Sequence, residues 1–188
     1  GVDRDVTRIL LNEYRPVLET IADIPKPVIA AIPGSAAGIG MSMALQCDLV
    51  IMADDAFLLS PFTTISLVPD GGLNWLLVRQ LGYRQAFQLS VESGRIPAAR
   101  CVELGLANRV APADELQSAA LEWAEALAQR SPLSMAATKK AMRFAMDHDW
   151  DELFRLEAQL QGDLAGSDDN VEGVSAFLEK RAPEFKGE

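Results

Sequence analysis

The chain has 188 residues, of which 49% are hydrophobic and 23% charged, and its formal net charge is −10. This composition is typical of one globular domain, and the negative charge argues against nucleic acid as the main partner. No run reaches the roughly 20 consecutive apolar residues of a transmembrane helix, so no membrane partner is expected. The single histidine, His148, excludes a metal site built from several histidines.

The N-terminal half mixes helical and strand-like patterns. Residues 5–24 have an apolar stripe with helical spacing, which Pro16 should kink or break. Residues 40–48 also predict a helix. Three apolar runs predict buried strands, which we expect to share one sheet, at 28–32, 49–52 and 56–59.

Helical patterns dominate the remainder of the chain. They predict helices over 73–79, 83–93, 98–105, 113–130, 135–146 and 150–165, with a last segment over 171–188 that ends rich in basic residues. From about Ser131 we expect the structure to be wholly helical. The sequence therefore predicts an α/β core over 1–130 and a helical region over 131–188.

One segment, 29-IAAIPGSAAGIGMSMALQCDLVIM-52, passes from a predicted strand through a loop of small residues into a predicted helix. Glycine and alanine let another molecule approach the main chain closely. An unpaired N–H at the start of the helix, aided by the helix dipole, can stabilise negative charge. Tight packing of a helix on a sheet would also explain the small residues. The dinucleotide and P-loop patterns are not met.

Four segments together resemble the crotonase superfamily, the enoyl-CoA hydratases and isomerases, in order from about Ile24 to Gly187. They are 25-PKPVIAAIPGSAAGIGMSMALQCDLVIMADDAFLLSPF-62, 69-PDGGLNWLLVRQLG-82, 96-IPAARCVELGLANRV-110 and 176-AFLEKRAPEFKG-187. The resemblance implies a crotonase-like spiral of ββα units with a helical C-terminal region. It also implies that the first part of this fold precedes Gly1.

Members of this superfamily bind acyl-CoA thioesters and stabilise an enolate-type oxyanion with two backbone N–H groups. The resemblance places one of these on Ile39 and the other in the part of the fold that precedes Gly1. Coenzyme A is then part of the substrate, and no separate cofactor or metal is implied. The expected substrate contacts are Ala37, Gly38, Pro61, Phe62, Leu67 and Trp75, with Lys180 near the CoA phosphates.

The same resemblance bears on the reaction. Hydratases of the family carry two acids, at positions that hold Ser42 and Phe62 in this chain, so no carboxylate pair is present to activate water. Asp70 matches the place where several isomerases carry their single acid, and apolar neighbours should raise its pKa. A Pro-Asp-Gly sequence is also a common turn, and that simpler interpretation stays open.

We therefore expect an enoyl-CoA isomerase that shifts a double bond from the 3-enoyl to the 2-enoyl position. The alternatives are a hydratase-like lyase and a non-catalytic acyl-CoA-binding member of the family. Relatives assemble through their helical C-terminal part, so residues 131–188 predict a homotrimer or homohexamer. A bacterial member would act in the cytoplasm, and a eukaryotic one in an organellar matrix.

Overall fold

A computed structural model describes residues 5–188, which pack as two units. The first unit contains residues up to Asp23 together with Val28–Ala120, and the second contains Ile24–Pro27 and Leu121–Glu188. The predicted division into 1–130 and 131–188 stays a prediction, and its residues 1–4 lie outside the described residues.

The N-terminal helix of the first unit continues through Pro16 without the break that is one expectation there, and its hydrogen-bond pattern widens just before the proline. Helix α1 (Val6–Ile9) passes into a π-helical turn (Leu10–Tyr14), and α2 (Arg15–Asp23) follows. Proline lacks a backbone N–H and crowds the preceding turn, and a wider π turn is one way for a helix to absorb such a disturbance. Leu18 is the buried residue of α2.

Two small sheets form the centre of the first unit. One has the order β1 (Ile29–Ile32), β3 (Leu49–Ala53), β6 (Arg109–Ala111), with all pairs parallel. The other has the order β2 (Ser35–Ala37), β4 (Phe57–Leu59), β5 (Ile96–Pro97), in which β2 and β4 are parallel and β5 is antiparallel to β4. The strands predicted at 28–32, 49–52 and 56–59 are therefore all present, each within a residue of the expected bounds.

The expectation that these three strands share one sheet is wrong, because β4 belongs to the second sheet. The reason lies in the backbone hydrogen bonds that the residues linking β3 to β4 make with other strands. The Asp54 N–H donates to Ala111 O at 2.9 Å and so closes the first sheet, whereas the Phe57 N–H donates to Gly34 O at 3.2 Å and opens the second. The turn over Asp54 and Asp55 therefore moves the chain from one sheet to the other.

Helices of the first unit bury their apolar sides against these sheets. They are α3 (Ile39–Gln46), α4 (Leu73–Leu81), α5 (Tyr83–Glu92) and α6 (Ala98–Glu103), and α7 (Leu116–Ala128) begins in this unit; a short 3₁₀ turn spans Phe62–Ile65. The largest fully buried side chains include Met41, Ile51, Met52, Leu58, Leu73, Leu76 and Leu77. Burial of such side chains is the main favourable term in folding.

The second unit has helices, as predicted from about Ser131, but the expectation that it is wholly helical is wrong for residues 181–188, because the left-handed Lys180 ends the last helix and the chain continues without regular structure. Its helices are α8 (Pro132–Ala145), α9 (Trp150–Leu164) and α10 (Asp168–Glu179). Ser131, Asp149 and Ser167 cap their N-termini through side-chain oxygens, which pair backbone N–H groups that a helix leaves free. Within residues 5–188, no helix is both long and apolar enough to cross a membrane.

Candidate active site

Gly38 turns the chain from the second sheet into α3. Its backbone has φ +56° and ψ −126°, a conformation that residues with a side chain rarely adopt. The Gly38 N–H donates to Leu59 O at 3.0 Å, which joins the end of β2 to the end of β4. The Gly38 carbonyl accepts the Met41 N–H at 3.0 Å, so the helix begins at Ile39.

The Ile39 N–H has no acceptor among residues 5–188. The first N–H groups of a helix lack intrahelical partners, and they lie at the positive end of the helix dipole. A Cβ added at Gly34 or at Gly40 would meet nothing within 4 Å. These two glycines are therefore not explained by tight packing, and Gly40 leaves the main chain next to Ile39 open to a close approach.

Four of the predicted substrate contacts lie together at one end of the second sheet. Ala37 pairs with Leu59 in the parallel β2–β4 ladder, and Pro61 and Phe62 follow at the start of the 3₁₀ turn. Phe62 is buried, and its Cζ lies 3.6 Å from the position that a Cβ on Gly38 would take. The ring thus packs against the loop that precedes α3.

The turn that contains Asp70 is fixed by hydrogen bonds to its carbonyl groups. The Asp70 carbonyl accepts the Leu73 N–H at 3.1 Å and the Ser42 hydroxyl at 2.9 Å. The Pro69 carbonyl accepts the Asn74 side-chain amide at 2.8 Å. The turn is therefore tied both to the start of α4 and to the first turns of α3.

Gly71 presses this turn directly onto α3. It has φ +62°, and a Cβ added there would lie 2.5 Å from Ile39 Cδ1 and 2.9 Å from Ser42 Cβ. Only glycine fits such a position without displacing its neighbours. The fold thus brings the predicted acid, Asp70, close to the helix start that presents the Ile39 N–H.

The Asp70 carboxyl group is partly buried. Its Oδ1 is buried and has no hydrogen-bond partner among the described residues. Burial raises the pKa of the Asp70 carboxyl above its ordinary value of 3.8. A carboxylate that is desolvated and unpaired is a stronger base than one in water, and raised pKa values of this kind are concentrated at functional sites.

Leu67 and Trp75 flank Asp70 along the chain and offer apolar surface. Leu67 is 55% exposed and Trp75 is 38% exposed. The Arg79 guanidinium lies 5.4 Å from the centre of the Trp75 ring. Val68 is also exposed, so these three residues offer open apolar surface beside the turn.

Lys180 lies in the second unit, at the C-terminal end of α10. It is exposed and has φ +57°, a left-handed conformation that ends the helix. The Lys180 N–H donates to Phe177 O at 3.3 Å. Its side chain is therefore held at a helix terminus on the surface of that unit.

Two features of the site were not predicted. The hydrogen bond from Ser42 to Asp70 O joins residues 28 apart in the chain, and no sequence pattern predicts it. The one signal in the sequence for the close contact between this turn and α3 is the glycine directly after Asp70. Ser60, just before Pro61, has a fully buried hydroxyl without a partner among the described residues. Across residues 5–188, no group of three His, Cys, Asp or Glu residues is placed to hold a metal ion.

Comparison with known proteins identifies relatives along nearly the whole chain. The enoyl-CoA hydratase/isomerase family profile matches residues 5–188. A probable enoyl-CoA hydratase of Rhodobacter capsulatus is 39% identical over 179 residues, which is 95% of this chain and 70% of that protein. A 1,2-epoxyphenylacetyl-CoA isomerase of Escherichia coli is 36% identical over 174 residues, 93% of this chain and 66% of that protein.

Solved structures confirm the predicted crotonase-type fold. An enoyl-CoA hydratase from Polaromonas sp. JS666 superposes with a TM-score of 0.94 at 34% identity, covering 98% of this chain and 72% of that one. An enoyl-CoA hydratase from Bacillus anthracis superposes with a TM-score of 0.95, also at 34% identity, over 100% of this chain and 73% of that one. With a family profile that spans the described residues and this agreement in fold, the chain belongs to the enoyl-CoA hydratase/isomerase family of acyl-CoA enzymes.

Proposed function

We propose that the protein is an enoyl-CoA isomerase that converts 3-enoyl-CoA to 2-enoyl-CoA with Asp70 as its single acid–base group. One observation supports this most: a buried carboxylate oxygen without a partner among the described residues lies on a turn that packs against the helix start bearing the free Ile39 N–H. A base and an oxyanion donor are the two groups that this reaction needs.

In the proposed reaction, the Asp70 carboxylate removes a proton from C2, the carbon next to the thioester carbonyl. The electron pair moves onto the thioester oxygen, where the Ile39 N–H stabilises the resulting enolate. When the enolate collapses, C4 takes the proton back from Asp70, and the double bond moves from C3–C4 to C2–C3. The carboxylate is regenerated, so no other proton donor is required.

Hydration is the alternative that the names of several relatives suggest, including the Rhodobacter capsulatus protein. Addition of water needs a second carboxylate to orient the water and to move its proton. In this chain Ser42 is fully buried and its hydroxyl donates to the Asp70 carbonyl, while Phe62 has no acid–base group. The Escherichia coli protein, by contrast, is a relative named for an isomerisation.

The test is the substitution Asp70→Asn, which keeps the shape of the side chain and removes its basicity. We expect kcat for conversion of a 3-enoyl-CoA to its 2-enoyl isomer to fall about 10²- to 10⁴-fold, the usual loss on removing a general base. Binding of the product should change little. A series of acyl chain lengths would at the same time define the preferred substrate.

Asp55→Asn is the matched control, because Asp55 is an exposed aspartate in the same unit. It should leave the rate at the wild-type level. An Asp70→Asn variant that is as active as the Asp55→Asn variant would reduce Asp70 to a turn residue. A wild-type protein that binds acyl-CoA but turns over no enoyl-CoA would support a non-catalytic role.

We also propose that the protein assembles as a homotrimer or homohexamer through its second unit. Helices α8 and α9 expose large apolar side chains, among them Met142 at 68%, Trp150 at 72% and Phe154 at 54%. The cleft between the two helices has a volume of about 510 Å³. Exposed apolar surface of this kind marks interaction sites. Light scattering should report a trimer or hexamer, and a stable monomer would contradict the proposal.

A further inference from the structure

Ser42 occupies one of the two positions where hydratases of the family carry an acid, yet it is built into the protein interior. Its side chain is fully buried, so it does not reach substrate or bulk water. Its hydroxyl lies 2.9 Å from Asp70 O and 3.4 Å from Gly38 O, and it has one proton to donate. The shorter distance identifies the Asp70 carbonyl as the acceptor.

The Asp70 carbonyl does not depend on this hydroxyl for a partner. It also accepts the Leu73 N–H at 3.1 Å, as part of the turn into α4. The hydrogen bond from Ser42 is therefore the second one that the Asp70 carbonyl accepts. It restricts the orientation of a carbonyl group that already has a partner. This bond links the Asp70 turn to α3. Without it, the turn would contact α3 through van der Waals packing alone.

Close packing of Gly71 against α3 brings the Asp70 turn within hydrogen-bonding distance of Ser42. The Cα of Gly71 faces Ser42 and Ile39 so closely that an added Cβ would lie 3.1 Å from Ser42 Oγ and 2.5 Å from Ile39 Cδ1. Ser42 lies one helical turn after Ile39, and both belong to α3. A shift of the turn relative to α3 therefore changes the separation of the Asp70 carboxylate and the Ile39 N–H directly.

We propose that Ser42 is a positioning residue for the proton transfer: its hydroxyl holds the Asp70 turn in register with the helix start that presents the Ile39 N–H. The inference rests on the proposed function, because it needs Asp70 as the base. Proton transfer to carbon is sensitive to such placement, since a displacement of about 1 Å can reduce a rate 10²-fold. Serine at this position thus takes the place of an acid without taking over its chemistry.

The experiment is a double-mutant cycle of Ser42→Ala and Asp70→Asn, with kcat and KM measured for the 3-enoyl-CoA substrate. Ser42→Ala alone should lower kcat about tenfold and leave KM nearly unchanged, because the buried hydroxyl does not touch substrate. In the Asp70→Asn background the same change should have almost no effect, since no base remains to be positioned.

Ser90→Ala serves as the matched control, because Ser90 is another buried serine of the same unit. It should leave kcat unchanged in both backgrounds. Thermal unfolding of all variants then shows whether a lower kcat comes from a displaced Asp70 carboxylate or from a smaller fraction of folded protein.

Two results would overturn the inference in distinguishable ways. If Ser42→Ala lowers kcat by the same factor with and without Asp70, or raises KM instead, Ser42 does not act through the base, while the loss on Asp70→Asn still supports the proposed function. If Asp70→Asn retains the wild-type rate, the proposed function fails and the role of Ser42 fails with it.

Discussion

Asp70 in the first unit and Asp169 in the second both have carboxylate oxygens removed from water, but their surroundings differ. Asp169 is 4% exposed, and its carboxylate accepts the Lys186 N–H at 2.7 Å, the Gly187 N–H at 3.1 Å and the Ser131 hydroxyl at 3.0 Å. Asp70 Oδ1 is buried with no partner among the described residues.

The pKa values of the two carboxyl groups move in opposite directions. Burial raises the pKa of Asp70. Burial also acts to raise the pKa of Asp169, but its hydrogen bonds outweigh that effect and lower the value below 3.8. Buried polar groups are normally paired because an unpaired one is costly. Asp169 therefore joins α10 to the C-terminal segment through hydrogen bonds, whereas the unpaired Oδ1 of Asp70 is the feature on which the proposed proton transfer rests.

Among substitutions that leave the Asp70 carboxyl group in place, the largest effect is expected from Gly71→Ala, which changes the position of the Asp70 turn. The new Cβ would lie 2.5 Å from Ile39 Cδ1, so the turn must move away from α3. We expect kcat for isomerisation to fall about 10²-fold, measured beside thermal unfolding.

Gly72→Ala is the control for that variant. Gly72 also has a positive φ, of +79°, but a Cβ there would meet nothing within 4 Å. It brings the same kind of backbone strain without the clash, and kcat should stay near the wild-type value. Equal losses in both variants would mean that strain, and not the position of the turn, sets the rate.

Asp169→Asn should affect stability and spare activity, the reverse of Asp70→Asn. The amide cannot accept all the hydrogen bonds of the carboxylate, so the unfolding midpoint should fall by several degrees while kcat stays close to wild type. Asp168→Asn, at the exposed neighbouring position, controls for charge at the start of α10. If Asp169→Asn instead lowered kcat and left the unfolding midpoint unchanged, the contrast between a structural Asp169 and a catalytic Asp70 would be wrong.

The stability due to Asp169 should also depend on pH. Its pKa is lowered in the folded protein, so the stabilisation is complete above its ordinary pKa of 3.8. It is lost as the pH falls through the folded value. The gap between the unfolding midpoints of wild type and Asp169→Asn should therefore narrow in acid below that pH, and a gap that widened there would contradict the sign of the shift.

The pH profile of catalysis should show the opposite shift at Asp70. The base must be ionised to remove a proton, so kcat/KM for isomerisation should rise with pH through an apparent pKa above 3.8. Asp70→Asn should lose this acidic limb. A limb at or below 3.8 in the wild type would mean that the carboxyl is not desolvated when the reaction begins.

The smallest effect is expected at Lys180, whose charge lies on the surface of the second unit. If it contacts the CoA phosphates, Lys180→Ala should raise KM for CoA thioesters by about two- to fivefold, the range of an exposed ion pair. The effect should fade at high salt. Lys140→Ala, at an exposed position of α8, should leave KM unchanged.

Elements with a strong local signal could be predicted from the sequence. The apolar runs of β1, β3 and β4 and the periodicity of α8 and α9 were recognisable, because their patterns repeat over several residues. The strand β2 (Ser35–Ala37) consists of three small residues and lacks such a pattern. The pairing of β4 with β2 depends on a turn that changes sheets, which local periodicity does not reveal.

The site was predictable only where the family pattern is explicit. That pattern singled out Ile39 and Asp70, whose predicted roles stay predictions, and the structure adds that the two lie on touching elements. The contact itself depends on Ser42 and Gly71, which are separated by 29 positions in chain numbering and share no periodic signal. Such a long-range contact follows from the packing of α3 against the turn, and packing is not visible in one sequence.

The most direct test compares two reactions of the unmodified protein under one set of conditions: isomerisation of a 3-enoyl-CoA and hydration of the corresponding 2-enoyl-CoA. With one carboxylate, Asp70, and with Ser42 and Phe62 at the other acid positions, kcat/KM for isomerisation should far exceed that for hydration. Hydration that is as fast as isomerisation, or faster, would contradict the account, because it would require a second acid–base group that this site does not contain among its described residues.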